Sequence, residues 1–281
     1  MSAKKGFILA IAEGDSDQEA LEPFLNSLYN GPNSAQRYKI IFLRGYYKGK
    51  RIHDITTHGY TNSRGVFKLI SERFIKPWFN NGHHMPEDIC KVIHIVDMDG
   101  AYIDDSRIKY NPNRIDPDNP TAENPEYCKE EILSANIEQT KKRNAQKRNN
   151  LDWLSKNDKI HIKISDEITG EINKFDINYE IYFFSCNLDH VLHHNANMKH
   201  DEKVSKAKDF SKHYGDNPKM FIKALGSSVL EDMTYEESWD FMTERGNHSL
   251  EPHTNINILL ERIENDHIAP DQQLKQYDAS D

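Results

Sequence analysis

Residues 7–17 read Phe7-Ile8-Leu9-Ala10-Ile11-Ala12-Glu13-Gly14-Asp15-Ser16-Asp17, and this stretch decides the fold. Six apolar residues without polar alternation suit a strand covered on both faces. Glu13-Gly14-Asp15 breaks the run. Beyond it, Leu21, Phe24, Leu25 and Leu28 fall on one face of a helix, with Ser16 or Asp17 as the expected cap. A buried strand, a turn and a helix open a parallel α/β sheet.

The pattern repeats outward. Residues 38–43 predict a second strand. Residues 64–79 predict a helix with Val66, Leu69, Ile70, Phe74 and Trp78 on its apolar side and Pro77 near its end. Residues 91–96 predict a third strand that runs into Asp97-Met98-Asp99-Gly100. This order predicts an α/β, Rossmann-like architecture, a mainly parallel sheet flanked by helices. Asn, Asp and Pro crowd residues 101–127, notably in Asn111-Pro112-Asn113 and Asp116-Pro117-Asp118-Asn119-Pro120, which predicts an irregular insertion. Residues 129–157 predict a polar helix carrying Lys141-Lys142-Arg143 and Lys147-Arg148, as either a solvated face or an edge that touches phosphates. The alternation in 159–164 predicts a half-exposed strand, with 168–174 returning as a hairpin around Thr169-Gly170-Glu171. Residues 179–184 predict a central strand, and helices follow from Leu188. The expected organisation is an α/β domain over 1–187 with its insertion at about 101–158, a helical region over 188–268 and a flexible tail over 269–281.

The 281 residues suffice for one large domain with an insertion or appendage. Acidic residues outnumber basic ones, 45 to 36, giving a net charge of −9. That balance does not favour a sequence-independent grip on the phosphate backbone through global charge, and it does not exclude nucleic acid, since a bound cation can supply positive charge locally. Cys90, Cys128 and Cys186 are too few and too far apart for a disulfide framework or a CxxC zinc site. His83-His84 and His193-His194 fit no ligand pattern. No apolar run approaches the ~20 residues that span a bilayer, and Phe7–Ala12 is too short for a secretory leader. A cytoplasmic protein without membrane contact is expected.

The chemistry sits at strand ends. Glu13 follows the first strand, and Asp97 and Asp99 follow the third, on the rim where open parallel sheets bind ligands. Three carboxylates there repel one another unless a cation lies between them, and Mg²⁺ prefers such oxygen ligands. The spacing in Asp97-Met98-Asp99 predicts both carboxylates on one side of an extended segment, with Met98 pointing into packing. Gly14 and Gly100 permit close approach of backbone or substrate. The plainer alternative is a set of solvated turn acids.

An apolar strand, Glu13-Gly14-Asp15-Ser16-Asp17, a helix, then an apolar strand and Asp97-Met98-Asp99-Gly100 resembles the TOPRIM domain, shared by type IA topoisomerases, primases, recombination proteins and OLD-family nucleases. The segment Ile177-Asn178-Tyr179-Glu180-Ile181-Tyr182 is similar to the Asn-x-Phe-Glu-x-Trp segment of RloB-like stand-alone TOPRIM proteins, with Tyr in place of both aromatics. The resemblance covers about residues 7–100 and 177–195. It implies Mg²⁺ or Mn²⁺ dependence and hydrolysis of phosphodiester bonds. By position, it implies that Glu13 is a metal ligand or the general acid/base, that Asp97 and Asp99 are catalytic metal ligands, that Asp17 supports a second metal or caps the helix, and that Glu180 completes the metal site. A basic residue near the leaving group is also implied, with Lys199, Lys203, Arg44 and Lys48 as candidates.

Arg44 and the segment Tyr46-Tyr47-Lys48-Gly49-Lys50-Arg51 mix aromatics and cations after a strand. Arg44, Lys48, Lys50 and Arg51 are therefore expected to clamp nucleic acid, unless the tyrosines pack on the core instead. Ser185-Cys186-Asn187 lacks the glycines of a nucleophile elbow. His190, His193 and His194 lie at helical spacing, most simply as core or surface histidines.

The function expected from the resemblance is a metal-dependent nuclease acting on DNA or RNA in anti-phage defence. The sequence contains no P-loop, so an ATPase partner would be separately encoded. A strand-passage or primer-making enzyme is disfavoured by the absence of the further domains those activities need. The alternative from another class is a binding or regulatory module, controlled by a partner, that kept the fold and lost catalysis. Homo-oligomerisation stays open.

Overall fold

The computed structural model describes residues 6–31, 38–57, 63–82, 85–115, 124–165, 172–244 and 248–263. The elements run β1 (Gly6–Ile11), α1 (Asp15–Asn30), β2 (Tyr38–Phe42), β3 (Gly45–Tyr47), β4 (Lys50–Ile52), α2 (Ser63–Leu69), α3 (Lys76–Gly82), β5 (Ile89–Asp97), β6 (Ile108–Tyr110), β7 (Glu126–Tyr127), β8 (Ile132–Ser134), α4 (Ile137–Leu154), β9 (Lys159–Ser165), β10 (Ile172–Phe184), α5 (Leu188–His193), α6 (His200–Tyr214), α7 (Pro218–Leu225) and α8 (Tyr235–Thr243).

The central sheet has the order β2-β1-β5-β10-β9. Every neighbouring pair is parallel except β10 with β9. Both faces are covered, which is why β1 reads as a continuous apolar run. Leu9 and Ile11 join Val92, Val96 and Phe183 in a core beneath α2, α3, α4 and α8. Ile8 and Ala10 join Ile93, Ile95 and Tyr182 in a second core beneath α1, α5, α6 and α7. No helix among the described residues is long and apolar enough to cross a membrane.

Several local expectations change. α1 starts at Asp15 with Gly14 as its cap, so Ser16 and Asp17 lie inside the first turn. Asp17 Oδ2 instead accepts the Gly14 N–H at 2.7 Å, the reverse half of a capping box. The helix expected over 64–79 is interrupted: a π-helical turn over Ile70–Ile75 joins α2 to α3, and the Lys76 N–H reaches back to the Ser71 carbonyl. Pro77 follows at once, with no N–H to continue the usual ladder.

The insertion is not wholly irregular. β6, β8 and β7 form a small three-stranded sheet, with Ile108 and Ile132 packing against Ile103 and Leu250. Ile132 and Leu133 therefore end up in a strand, and α4 begins only after Asn136, whose side chain caps the Gln139 N–H at 3.1 Å. Of the piece expected at 168–174, residues 172–174 are described, and they belong with 179–184 to one strand of 13 residues, β10. In β9 the alternation holds, with Ile160 and Ile162 buried and Lys159, His161 and Lys163 exposed on an edge strand. Asp116–Pro120, Thr169–Glu171, His83-His84 and the tail 269–281 lie outside the described residues.

Candidate metal centre

β1 and β5 end on the same rim, and Glu13 Oε1 accepts the Asp97 N–H at 3.3 Å. The acids there do not form one group. Glu13, Asp54 and Asp99 converge, each offering a carboxylate oxygen within 4.8 Å of the others, close enough to hold a metal ion. Asp97 turns elsewhere: its Oδ1 accepts the Leu188 N–H at 3.0 Å, at the start of α5.

The expected side-by-side placement of Asp97 and Asp99 fails for a backbone reason. Met98 is buried as expected, but Asp99 has φ 51° and Gly100 φ 63°. The chain leaves the extended conformation immediately after β5, and the left-handed turn swings Asp99 toward α4. A Cβ at Gly100 would be strained by its positive φ and would lie 2.6 Å from Leu250 Cδ2, so glycine is favoured there.

Asp54, unremarked in the sequence, comes from the loop after β4. Its Oδ1 accepts the N–H groups of Thr56 and Thr57 at 2.9 and 3.2 Å and the Thr56 hydroxyl at 2.6 Å. The carboxylate-x-Thr-Thr order is a recognisable turn signature that could have flagged it. α4 holds this loop: Gln146 Nε2 donates to the Thr57 carbonyl at 3.0 Å, and Asn150 Nδ2 donates to that of Thr56.

At the centre lies Lys147. Its side chain is 0% exposed, whereas Glu13, Asp54 and Asp99 keep 13, 24 and 20%, so the acids remain reachable from solvent and the ammonium does not. Lys147 Nζ sits 3.2 Å from Asp54 and 3.5 Å from Glu13, and donates a short hydrogen bond to Asp99. Neither reading of the basic stretch on α4, solvated face or phosphate edge, survives for this residue. Arg143 is drawn in as well, donating to the Asp99 carbonyl and the Tyr127 hydroxyl at 3.4 Å each. Arg148 donates to the Ala101 carbonyl. The signal for this was periodicity: Thr140, Asn144, Lys147, Leu151 and Leu154 form one buried stripe, apolar at its end and polar where it passes under the rim.

Electrostatics follow the geometry. Burial opposes the charge on Lys147, but Asp54, Asp99 and Glu13 outweigh it and hold its pKa well above the usual value. Burial, then Asp54, push the Glu13 carboxyl well up despite Lys147. Asp54 goes the other way: burial would raise it, but Lys147 and the two threonine hydroxyls bring it below the ordinary range. Under the rim, burial holds His94 neutral, lowering its pKa to about 3, and its Nδ1 pairs with the Tyr179 hydroxyl at 2.7 Å.

Asp97 belongs to a second acid group with Asp17 and Asp189. Burial, then Asp17 and Asp99, raise its pKa well above the usual value, and burial with Asp189 raises that of Asp17. The counter-charge is Lys203, whose Nζ lies 2.7 Å from Asp189 and whose side chain is 29% exposed.

Glu180 stands apart from both groups. The register pairs Phe184 with Asp97 but Glu180 with Ile93, four residues earlier, about 13 Å upstream at ~3.3 Å per residue. It pairs there with Lys91 at 2.7 Å and Arg262 at 3.8 Å. Arg44 and Arg51 both pair with Asp15 at the start of α1, while Lys48 and Gly49, both at positive φ, form the tip of the β3–β4 hairpin. The tyrosines do not pack on the core: Tyr46 and Tyr47 are exposed. Lys199 caps α6. Burial with Asp99 nearby keeps the Cys186 thiol protonated, and Ser185 serves as a backbone strap described below.

Comparison with protein-family models, with curated proteins and with solved structures finds no match. The reading of this centre therefore rests on its own geometry. Its three carboxylates lie close enough together to hold a metal ion.

Proposed function

We propose that this protein is a Mg²⁺- or Mn²⁺-dependent nuclease of the stand-alone TOPRIM kind, hydrolysing phosphodiester bonds of DNA or RNA. The observation that carries the proposal is the convergence of Glu13, Asp54 and Asp99 around the buried ammonium of Lys147 at the carboxyl rim of a parallel sheet. Glu13, Asp54 and Asp99 would hold the divalent cation, which would supply Lewis acidity toward a phosphodiester. Burial and Asp54 raise the Glu13 pKa in the metal-free triad, so Glu13 would give up a proton as the cation binds. Lys147 stays charged but is closed to solvent, so it offsets part of the carboxylates' negative charge, and the cation for the leaving oxygen falls to a side chain with solvent access such as Lys203. Asp97, Asp17 and Lys203 flank the same rim and would orient a second cation or the scissile phosphate. The β3–β4 hairpin, with exposed Tyr46 and Tyr47 beside Lys48 and Lys50, provides a stacking and charge platform for single-stranded substrate. An anti-phage role in the cytoplasm under control of a separate ATPase is part of this proposal, on the resemblance alone.

One observation favours the second reading, a regulatory module without catalysis. Lys147 already neutralises part of the triad, as a built-in cation would. The deciding experiment incubates plasmid, single-stranded DNA and tRNA with the protein in Mg²⁺, Mn²⁺ or chelator, beside Glu13→Gln, Asp54→Asn and Asp99→Asn. Metal-dependent cutting lost in all three variants supports the nuclease. A folded wild type that binds Mn²⁺ in calorimetry yet cuts nothing supports the module.

A further inference from the structure

Beyond the acid rim, residues 248–253 form a corner that carries three metal-ligating side chains of a different chemistry. We propose that His248, Glu251 and His253 form a second metal site, which takes a transition-metal dication of the Zn²⁺ type. The site is independent of the nuclease reading.

His253 Nε2 lies 3.1 Å from Glu251 Oε2, and His248 Nδ1 lies 3.5 Å from the same oxygen. All three ligand atoms fall within 4.8 Å of one another. Ligands around tetrahedral zinc, with bonds of about 2.0–2.1 Å, stand about 3.3 Å apart. Two of the three separations are thus already within a few tenths of an ångström of that spacing. Two imidazoles and one carboxylate suit Zn²⁺ and its neighbours in the first transition row, in contrast to the all-oxygen triad of Glu13, Asp54 and Asp99. The third protein ligand leaves a fourth position open.

A hydrogen-bond cluster explains the arrangement less well. One carboxylate oxygen faces two rings, and the 3.5 Å contact is too long for a hydrogen bond. His248 Nδ1, the ring nitrogen turned toward Glu251, is buried without a hydrogen-bond partner among the described residues. A metal bond satisfies a ring nitrogen that the polypeptide leaves bare.

The corner is also rigidly presented. The Ser185 N–H donates to the His253 carbonyl at 2.8 Å, the His253 N–H donates to Ser185 Oγ at 2.8 Å, and Ser185 Oγ donates to the Glu251 carbonyl. Phe241 lies against the His248 ring at 4.1 Å and meets the His253 ring edge-on at 5.4 Å, so both ring planes are set by packing. Ser185 in turn accepts the Gly100 N–H through its carbonyl at 3.4 Å, and Leu250 covers Gly100. A metal clasp here would therefore brace the turn that aims Asp99.

The test uses the full chain, stripped with chelator, then titrated with Zn²⁺ against a chromophoric competitor and with Co²⁺ under visible absorption. One equivalent that persists in excess Mg²⁺, with the intense absorption of low-coordinate Co²⁺, is expected. His248→Ala and the isosteric Glu251→Gln should each weaken it at least about tenfold, while Asp54→Asn leaves it unchanged. Near-UV circular dichroism establishes that the variants are folded. Absence of the Co²⁺ absorption in wild type, or Zn²⁺ affinity unchanged in a folded His248→Ala or Glu251→Gln, overturns the proposal.

Discussion

Two acid groups share one rim of the sheet and differ in how their charge is balanced. Glu13, Asp54 and Asp99 surround a lysine with no solvent exposure, delivered by the middle of an 18-residue helix. Asp17, Asp97 and Asp189 face Lys203, which keeps contact with water near the start of α6. The first ammonium is fixed on all sides, and the second sits on a long side chain whose position water can share. A buried ion pair gains from low dielectric but leaves an expensive charge behind when one partner is removed. Lys203 keeps water contact while its partner Asp189 is buried, so this pair stands between a buried and a surface one.

The largest difference should appear on removing the two lysines. In chelator, Lys147→Met should cost about 3–5 kcal/mol of unfolding free energy, because it strands three carboxylates. Lys203→Met should cost less, about 1–3 kcal/mol, because Lys203 keeps water contact although Asp189 beside it is buried. Urea unfolding measures both, and millimolar Mn²⁺ should recover much of the first loss. Equal losses would erase the distinction between the groups.

Next comes cation affinity. Asp99→Asn removes a ligand and should weaken Mn²⁺ binding by more than about 100-fold. Asp97→Asn, acting from outside the triad, should weaken it by about 10- to 100-fold. Calorimetry that finds Asp97 the more important of the two would return the site to the arrangement expected from Asp97-Met98-Asp99.

A smaller effect lies in the pH dependence. Glu13 and Asp97 have folded pKa values raised above their ordinary 4.5 and 3.8. The folded state thus binds protons more tightly than the unfolded chain, so the stability these groups contribute is full below the ordinary values. It is lost as pH climbs through the raised ones, at most about 1.4 kcal/mol per pH unit for each group. In chelator, the melting temperature should therefore fall between pH 5 and pH 8, and Glu13→Gln should flatten the slope. With saturating Mn²⁺ the trend should reverse, since the cation displaces those protons. Asp54, with its lowered pKa, loses its contribution only under acid, as pH falls below its ordinary 3.8.

The smallest effect concerns the hairpin. Tyr46→Ala should leave stability unchanged, because the ring is 52% exposed, yet cost about 1 kcal/mol of single-stranded nucleic-acid binding if a base stacks there. Fluorescence anisotropy at two salt concentrations checks it. An unchanged affinity would remove the hairpin from the interface and leave substrate contact to the rim.

Much of this protein was legible without coordinates. The unbroken apolar runs of β1 and β5 require cover on both faces, which dictates a parallel sheet with helices on each side. The acids that follow those runs must then share a rim, because parallel strands end together. Partner choice among those acids was not legible. It depends on a left-handed turn at Asp99, on a loop carboxylate from β4 and on a helix arriving from an insertion. Each is distant in sequence, and only packing brings them within a few ångströms. Lys147 shows the limit most clearly. Its composition marks a solvated helix, and only the fold reveals that the Leu154-Leu151 stripe continues beneath the site. There, three carboxylates make burial of an ammonium favourable, which no local pattern of charge can express.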